Sequence, residues 1–137
     1  MLDRQNVRTE SRCALIDITD RVRRVVERSG VRSGLCVVFV PHTTAGVTIN
    51  ENADPSVTSD IQRHLADMVP ERSDFRHGEG NSDAHIKSSL FGPSLTVIVD
   101  GGELVLGTWQ GIYFAEWDGP RSRTLFVKTI GDEGAGD

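Results

Sequence analysis

Cysteine is scarce in this chain. Cys13 and Cys36 are the two present, each inside an apolar run, and no CxxC spacing exists. That argues against a dedicated cysteine zinc site and leaves buried free thiols as the expectation. Long apolar runs are also missing. None approaches the roughly 20 residues that cross a bilayer, and the opening MLDRQNVRTESR lacks the apolar core of a secretory leader. No membrane partner is expected, and a cytoplasmic location is the simplest reading. A basic excess is missing too: 15 Lys and Arg stand against 20 Asp and Glu, a formal net charge of −5. A general nucleic-acid binder carries the opposite field. A Gly-rich loop followed by a phosphate-binding lysine, a GxGxxG turn and a GxSxG elbow are all absent. Without a repeat or a linker, residues 1–137 read as one domain, with 131–137 an acidic, Gly-rich tail expected to fray.

What is present alternates between strand and helix signals. Residues 7–18 read as a first strand, after which Thr19 or Asp20 caps a helix with Val22, Val25 and Val26 on one face. Ser29-Gly30 ends it. The run Leu35–Val40 is short, apolar and β-branched, so a buried strand is expected. A polar turn, PHTTAG, leads into a strand at 46–50. Asp54 before Pro55 opens a second helix, which is expected to bury Val57, Ile61, Leu65 and Met68 and to leave His64 at the boundary of its apolar stripe.

From Glu71 to Ala84 periodicity vanishes, and an irregular stretch that long is more often functional than accidental. Asp83 then caps a short helical turn to about Ser88. Strands follow at 94–99 and 103–106, joined by the Asp100-Gly101-Gly102 hairpin signal. Further strands are expected at 109–117 and 124–130, with Trp109 and Trp117 packing. The fold class is α+β: a compact, jelly-roll-like antiparallel β-sandwich with two or three helices packed outside.

Chemistry concentrates in polar loops. FRHGEGNSDAH at 75–85 carries His77 and His85 with Glu79, Asn81 and Asp83 between them. With His42, these two histidines form a candidate three-imidazole metal site, an arrangement zinc accepts with an exchangeable water. Glu51, Glu79, Asp83 or Glu116 is placed to orient ligands or serve as base. The eight-residue spacing of His77 and His85 matches no short metal motif, and a solvated surface loop is the plainer reading. Arg121 and Arg123, after Asp118-Gly119-Pro120, can grip a phosphate or carboxylate. Thr43 and Thr44 can add neutral donors to the same anion, while a surface salt-bridge cluster is the alternative.

PHTTAGVTINEN at 41–52, HGEGNSDAHIKSSLFG at 77–92 and LGTWQGIYFAEWDGPRSR at 106–123 together resemble the YjbQ family, over nearly the whole chain and in the same block order. The resemblance implies a β-sandwich-like α+β domain, assembly as a homotrimer, and a weak thiamine-phosphate synthase activity that joins a pyrimidine pyrophosphate to a thiazole phosphate. The family's polar motif positions fall on His42, Thr43, Thr44, Asn50, Glu51, His77, Asn81, His85, Gln110, Glu116, Asp118, Arg121 and Arg123. The expected centre follows from both lines. His42, His77 and His85 hold a divalent metal, zinc foremost, with magnesium the alternative suited to a pyrophosphate. Glu51 and Asp83 orient ligands or water. Thr43, Thr44, Asn81, Gln110, Arg121 and Arg123 hold a small phosphorylated metabolite, with Arg121 and Arg123 also serving catalysis. A non-catalytic module binding a metal or an anion is the competing expectation.

Overall fold

In the computed structural model, residues 2–71 and 75–133 are described. Their order is β1 (Leu2–Arg8), β2 (Ala14–Asp17), α1 (Thr19–Ser29), β3 (Ser33–Phe39), β4 (Ala45–Glu51), α2 (Pro55–Met68), α3 (Ser82–Phe91), β5 (Ser94–Asp100), β6 (Glu103–Leu104), β7 (Gln110–Glu116) and β8 (Ser122–Gly131). Two antiparallel sheets result, one ordered β1-β8-β3-β5-β6 and one ordered β2-β7-β4. They form a curled sandwich, open like a half-barrel, with three helices packed outside. The expected α+β class therefore holds.

Between the sheets lies a core rich in valine. It joins Val7, Val38, Val97, Leu125 and Val127 of the larger sheet to Val47, Ile112 and Phe114 of the smaller one. Val22, Val25 and Val26 of α1 complete it, the one-sided stripe anticipated from their spacing. Each such side chain contributes about 1.5–3 kcal/mol when fully buried. A second cluster on the other face of β7 unites Ala115 and Trp117 with Leu65 of α2 and Ala84 of α3. β7 is thus buried on both faces, which is why its sequence is almost continuously apolar from Gly111 to Ala115.

Several local expectations are corrected. The first strand is two strands in different sheets, because residues 9–13 cross from one sheet to the other. The Thr9 amide donates to Arg121 O at 2.9 Å on the way, and Arg12 O accepts from Gly119 N at 3.0 Å. α1 begins at Thr19 with Ile18 in the N-cap position, and Asp17, two residues before Thr19, accepts at Oδ1 from both the amide and the hydroxyl of Thr19. β3 is buried on one face only. Cys36 and Val38 point inward, whereas Leu35 and Phe39 are 42% and 41% exposed.

α2 begins as anticipated, with Asp54 Oδ1 accepting from Ser56 N and proline in the first turn. It buries only Leu65 fully. Met68 is 54% exposed, and His64 faces outward. α3 starts one residue before Asp83 and runs on to Phe91. At the hairpin, Gly101 and Gly102 take φ of 60° and 78°, the left-handed region that only glycine enters without strain. Trp109 precedes β7 and is 62% exposed, while Trp117 is core. Of the expected tail, Asp132 is tied to Ser33 by two hydrogen bonds, and 134–137 lie outside the described residues.

Candidate functional site

β7 leaves the sandwich at Glu116, turns through 117–121 and re-enters the other sheet as β8. The turn is pressed against residues 9–12. A Cβ on Gly119 would fall 2.2 Å from Ser11 O and 2.8 Å from Thr9 Oγ1, so only glycine permits the approach. This contact gathers charged side chains from four separate stretches of sequence at one end of the molecule.

Glu116 is fully buried. Its Oε1 accepts from Thr9 Oγ1 at 2.7 Å and from Arg123 Nε at 2.8 Å. Its Oε2 accepts from Arg123 Nη2 and from the amides of Trp117 and Asp118. Burial alone pushes this carboxyl up, but the hydrogen bonds from Arg123, Thr9 and the Asp118 amide, with the Arg123 charge, leave it below its ordinary value. Arg123, 4% exposed, also donates to Thr44 Oγ1 at 2.9 Å and Thr44 O at 3.3 Å.

Beside this pair lies a second group centred on Asp118. The Asn81 amide donates to its Oδ2 at 2.8 Å, Arg121 Nη2 donates at 3.1 Å, and Arg12 Nη1 approaches Oδ1 at 3.3 Å. Burial raises Asp118, and the bonds from Asn81 and Arg121 with the charges of Arg121 and Arg12 outweigh it, so the net shift is downward. Arg12 continues to Asp83, 3.1 Å away and 1% exposed. Lys87 completes that link at 3.4 Å, its ammonium 5.7 Å above the Trp117 ring. Arg12 Nε also lies 3.6 Å from Glu71 Oε1, so four cations meet four carboxylates in one contiguous network. Asn81 Oδ1 and Trp117 Nε1 are buried beside it with no hydrogen-bond partner among the described residues.

The structure brings together Thr44, Asn81, Asp83, Arg121 and Arg123 of the anticipated residues. Thr44 and Arg123 are spent on each other and on Glu116, so Arg123 is a wall of the site. Arg121, 52% exposed, is the guanidinium left to meet a ligand. Thr43 is exposed next to Thr44. Glu51 and Gln110 are not brought to this end. They pair with each other across β4 and β7, six register positions from the Ala45–Glu116 pair, about 20 Å at 3.4 Å per residue.

The histidines divide. His77 and His85 meet edge to face with ring centroids 5.1 Å apart, beside Phe75 and Ile86 in an open cavity of about 380 Å³. Glu79 Oε2 lies 3.8 Å from His77 Nε2. His42 Nε2 instead accepts the Thr124 amide at 2.8 Å, which leaves the ring proton on Nδ1 in the neutral form. Burial and the charge of Arg123 lower its pKa. Among the described residues, no three His, Cys, Asp or Glu side chains gather as a metal centre within one chain. His77 and His85 are brought together, while His42 is engaged with Thr124.

Arg12, Lys87 and Thr9 belong to the network although nothing in the sequence separates them from ordinary strand and helix residues. Asn81 had a legible signal, its place at the N-terminus of α3. Yet its side chain makes no capping bond there and reaches Asp118 instead.

A sandwich with a buried ion-pair network closing one end defines the class of protein. The model of the family described as "UPF0047 protein YjbQ-like" matches residues 3–132, and the chain belongs to that family. It is 54% identical over 133 residues to a UPF0047 protein of Methanocaldococcus jannaschii, covering 97% of this chain and 96% of that one. UPF0047 protein YugU of Bacillus subtilis is 49% identical over 132 residues, 96% of this chain and all of the relative. Among solved structures, a YjbQ/UPF0047 family protein from Clostridium acetobutylicum superposes with a TM-score of 0.92 at 55% identity, over 93% of this chain and 99% of that one.

Proposed function

We propose that this protein binds a small phosphorylated metabolite at the Arg121 end of the sandwich, with a thiamine-phosphate synthase-like transferase activity that is secondary. The observation that carries the reading is the pose of Arg121. Its Nε and Nη2 are anchored on Asp118 O and Oδ2, which fixes the guanidinium while half its surface stays open. A fixed, exposed guanidinium is suited to an anionic oxygen. In the reaction considered, a pyrimidine methyl pyrophosphate joins a thiazole phosphate and releases pyrophosphate. Arg121 stabilises the phosphate charge, and the Glu116–Arg123 pair holds the turn that positions it.

A divalent metal, zinc foremost and magnesium alternatively, is the proposed cofactor, held by His77 and His85. His42 is the third protein ligand in this proposal. Its engagement with Thr124 means that one chain alone fits two of the three positions. When bound it would supply charge neutralisation for a phosphorylated leaving group.

Self-association as a homotrimer belongs to the same proposal. The outer face of the larger sheet exposes Leu35, Phe39, Ile98 and Ile130 and forms an apolar cavity of about 300 Å³ lined by Leu2, Val37, Phe39, Phe126 and Lys128. Such a patch marks an interaction surface.

A second reading is a non-catalytic anion- and metal-binding module. It is favoured by the sealing of Glu116 and Asp83, 0% and 1% exposed, which leaves neither of these carboxylates free as a base beside Arg121. Two assays separate the readings. Formation of thiamine phosphate from both precursors should fall to background in Arg121→Ala, and persistence at the wild-type rate overturns the assignment of Arg121 as the anion clamp, whereas wild type that forms none overturns the transferase assignment. Metal content should drop in His77→Ala and His85→Ala, and unchanged content in both removes the histidine site.

A further inference from the structure

We infer that an open cavity of about 450 Å³ between β1 and the start of β8, lined by Asn6, Arg8, Thr9, Pro120, Arg121 and Ser122, is a phosphoryl-binding subsite in which Arg8 is the second guanidinium. The inference rests on the reading of Arg121 as an anion-holding group and deepens it by placing the anion on the β1 side.

Strand register builds the cavity. Arg8 pairs with Ser122 and Asn6 with Thr124, so the side chains of Asn6, Arg8 and Ser122 emerge on the same outward face. What matters is which hydrogen-bonding groups remain free there. Ser122 Oγ donates to Asn6 Oδ1 at 2.7 Å, so the free group of the Asn6 amide is its NH₂, a donor. Thr9 Oγ1 is spent on Glu116 and on the amide of Arg121. Arg121 has committed Nε and Nη2 to Asp118, leaving Nη1. The Arg8 guanidinium makes no hydrogen bond or ion pair with any of the described residues.

The free nitrogen groups are therefore all donors, two of them on guanidinium ions, and no carboxylate lines the cavity. In a chain of net charge −5 this is a local reversal of sign. A cationic cavity whose free nitrogens are all donors complements an oxyanion, and one of this size admits a phosphoryl group with part of the molecule that carries it. Free phosphate and the phosphoryl end of a monoester share that chemistry.

Calorimetric titration of the full chain with inorganic phosphate and, separately, with phenyl phosphate tests the subsite, using wild type, Arg8→Gln and Arg121→Gln. Arg8 is exposed on an edge strand, so Arg8→Gln should unfold at the wild-type temperature. The expected result is binding of phenyl phosphate by wild type and about tenfold weaker binding in each variant, the loss of one charge-assisted contact. Binding of inorganic phosphate alone, with the same response to both variants, supports the subsite and assigns it to the free ion. Weakening in Arg8→Gln but not in Arg121→Gln keeps the subsite and overturns the Arg121 clamp. Weakening in Arg121→Gln with Arg8→Gln unchanged overturns the subsite while the clamp stands. Wild type that binds neither anion overturns the subsite.

Discussion

Arg123 is clasped by Glu116, with Nε 2.8 Å from Oε1 and Nη2 on Oε2, at a place where the carboxylate is wholly buried. A buried pair of this kind contributes little net stability over a well-packed apolar pair, but removing one partner strands the other charge. Glu116→Gln should therefore cost about 3–5 kcal/mol, measured by urea denaturation. The double replacement Glu116→Leu with Arg123→Met should cost less than the two single changes combined. A loss under about 1 kcal/mol in Glu116→Gln would place the pair among surface ion pairs, against its burial.

The same pair, with Asp118, sets the response to acid. Both carboxyls are lowered, burial pushing them up and their hydrogen-bond donors overcoming it. A group lowered in the folded state holds fewer protons there than in the unfolded chain, so stability rises with pH through that range. The contribution is fully present above the ordinary values of 4.5 for Glu116 and 3.8 for Asp118, and it is lost as pH falls through the folded values. Urea midpoints taken from neutral pH downward should fall most steeply below about pH 4.5. Asp118→Asn should flatten that fall, and an identical slope in wild type and variant would remove Asp118 from the acid response.

How much of this was legible in the sequence depends on the range of the interaction. α1 and α2 were readable because their valine spacing and the Asp54-Pro55 start are local signals. β3 misled, since Leu35, Val37 and Phe39 are as apolar as the residues that face the core, and a run buried on one face looks like one buried on both. In the site, Arg121 and Asn81 were legible through their motifs. Arg12 was not, because its partners Asp83 and Asp118 are set by how the turn at 117–121 lies on residues 9–12. Lys87 stands four residues after Asp83 on α3, but its burial against Trp117 depends on how that helix packs. Glu51 and Gln110 sit in the same motif blocks as site residues, but strand register carries them to the far end.

Packing behind the site gives a test of how α3 is positioned. Gly46 lies under the end of that helix, and a Cβ there would stand 2.6 Å from Gly92 O and 3.4 Å from Phe91 Cβ. Backbone cannot yield as a flexible side chain does, so α3 must retreat from β4. Gly46→Ala should cost about 1–3 kcal/mol, the range of overpacked cores. Because α3 carries Asn81, Asp83 and His85, the His77–His85 ring contact should loosen as well, visible as a change in imidazole NMR shifts. Unaltered shifts and stability would mean that the helix is not held by this contact.

The outer face of the larger sheet yields the last expectation. Ile98 is 59% exposed, Leu2 61%, and Phe39 stacks on Phe126 with centroids 6.5 Å apart in contact with solvent. These side chains are spread over four neighbouring strands, β1, β8, β3 and β5, and form an apolar surface with Lys128 and Thr96 set among them. Leaving it in water is costly, and pairing it with other copies of the chain removes that cost. A charge at its centre should then separate the copies without disturbing the core, since Phe39 points away from it. Sedimentation should give wild type three times the mass of the 15.0 kDa chain, and Phe39→Glu a single chain with unchanged circular dichroism. Wild type sedimenting as a single chain would rule out the trimer, and Phe39→Glu remaining trimeric would move the interface elsewhere.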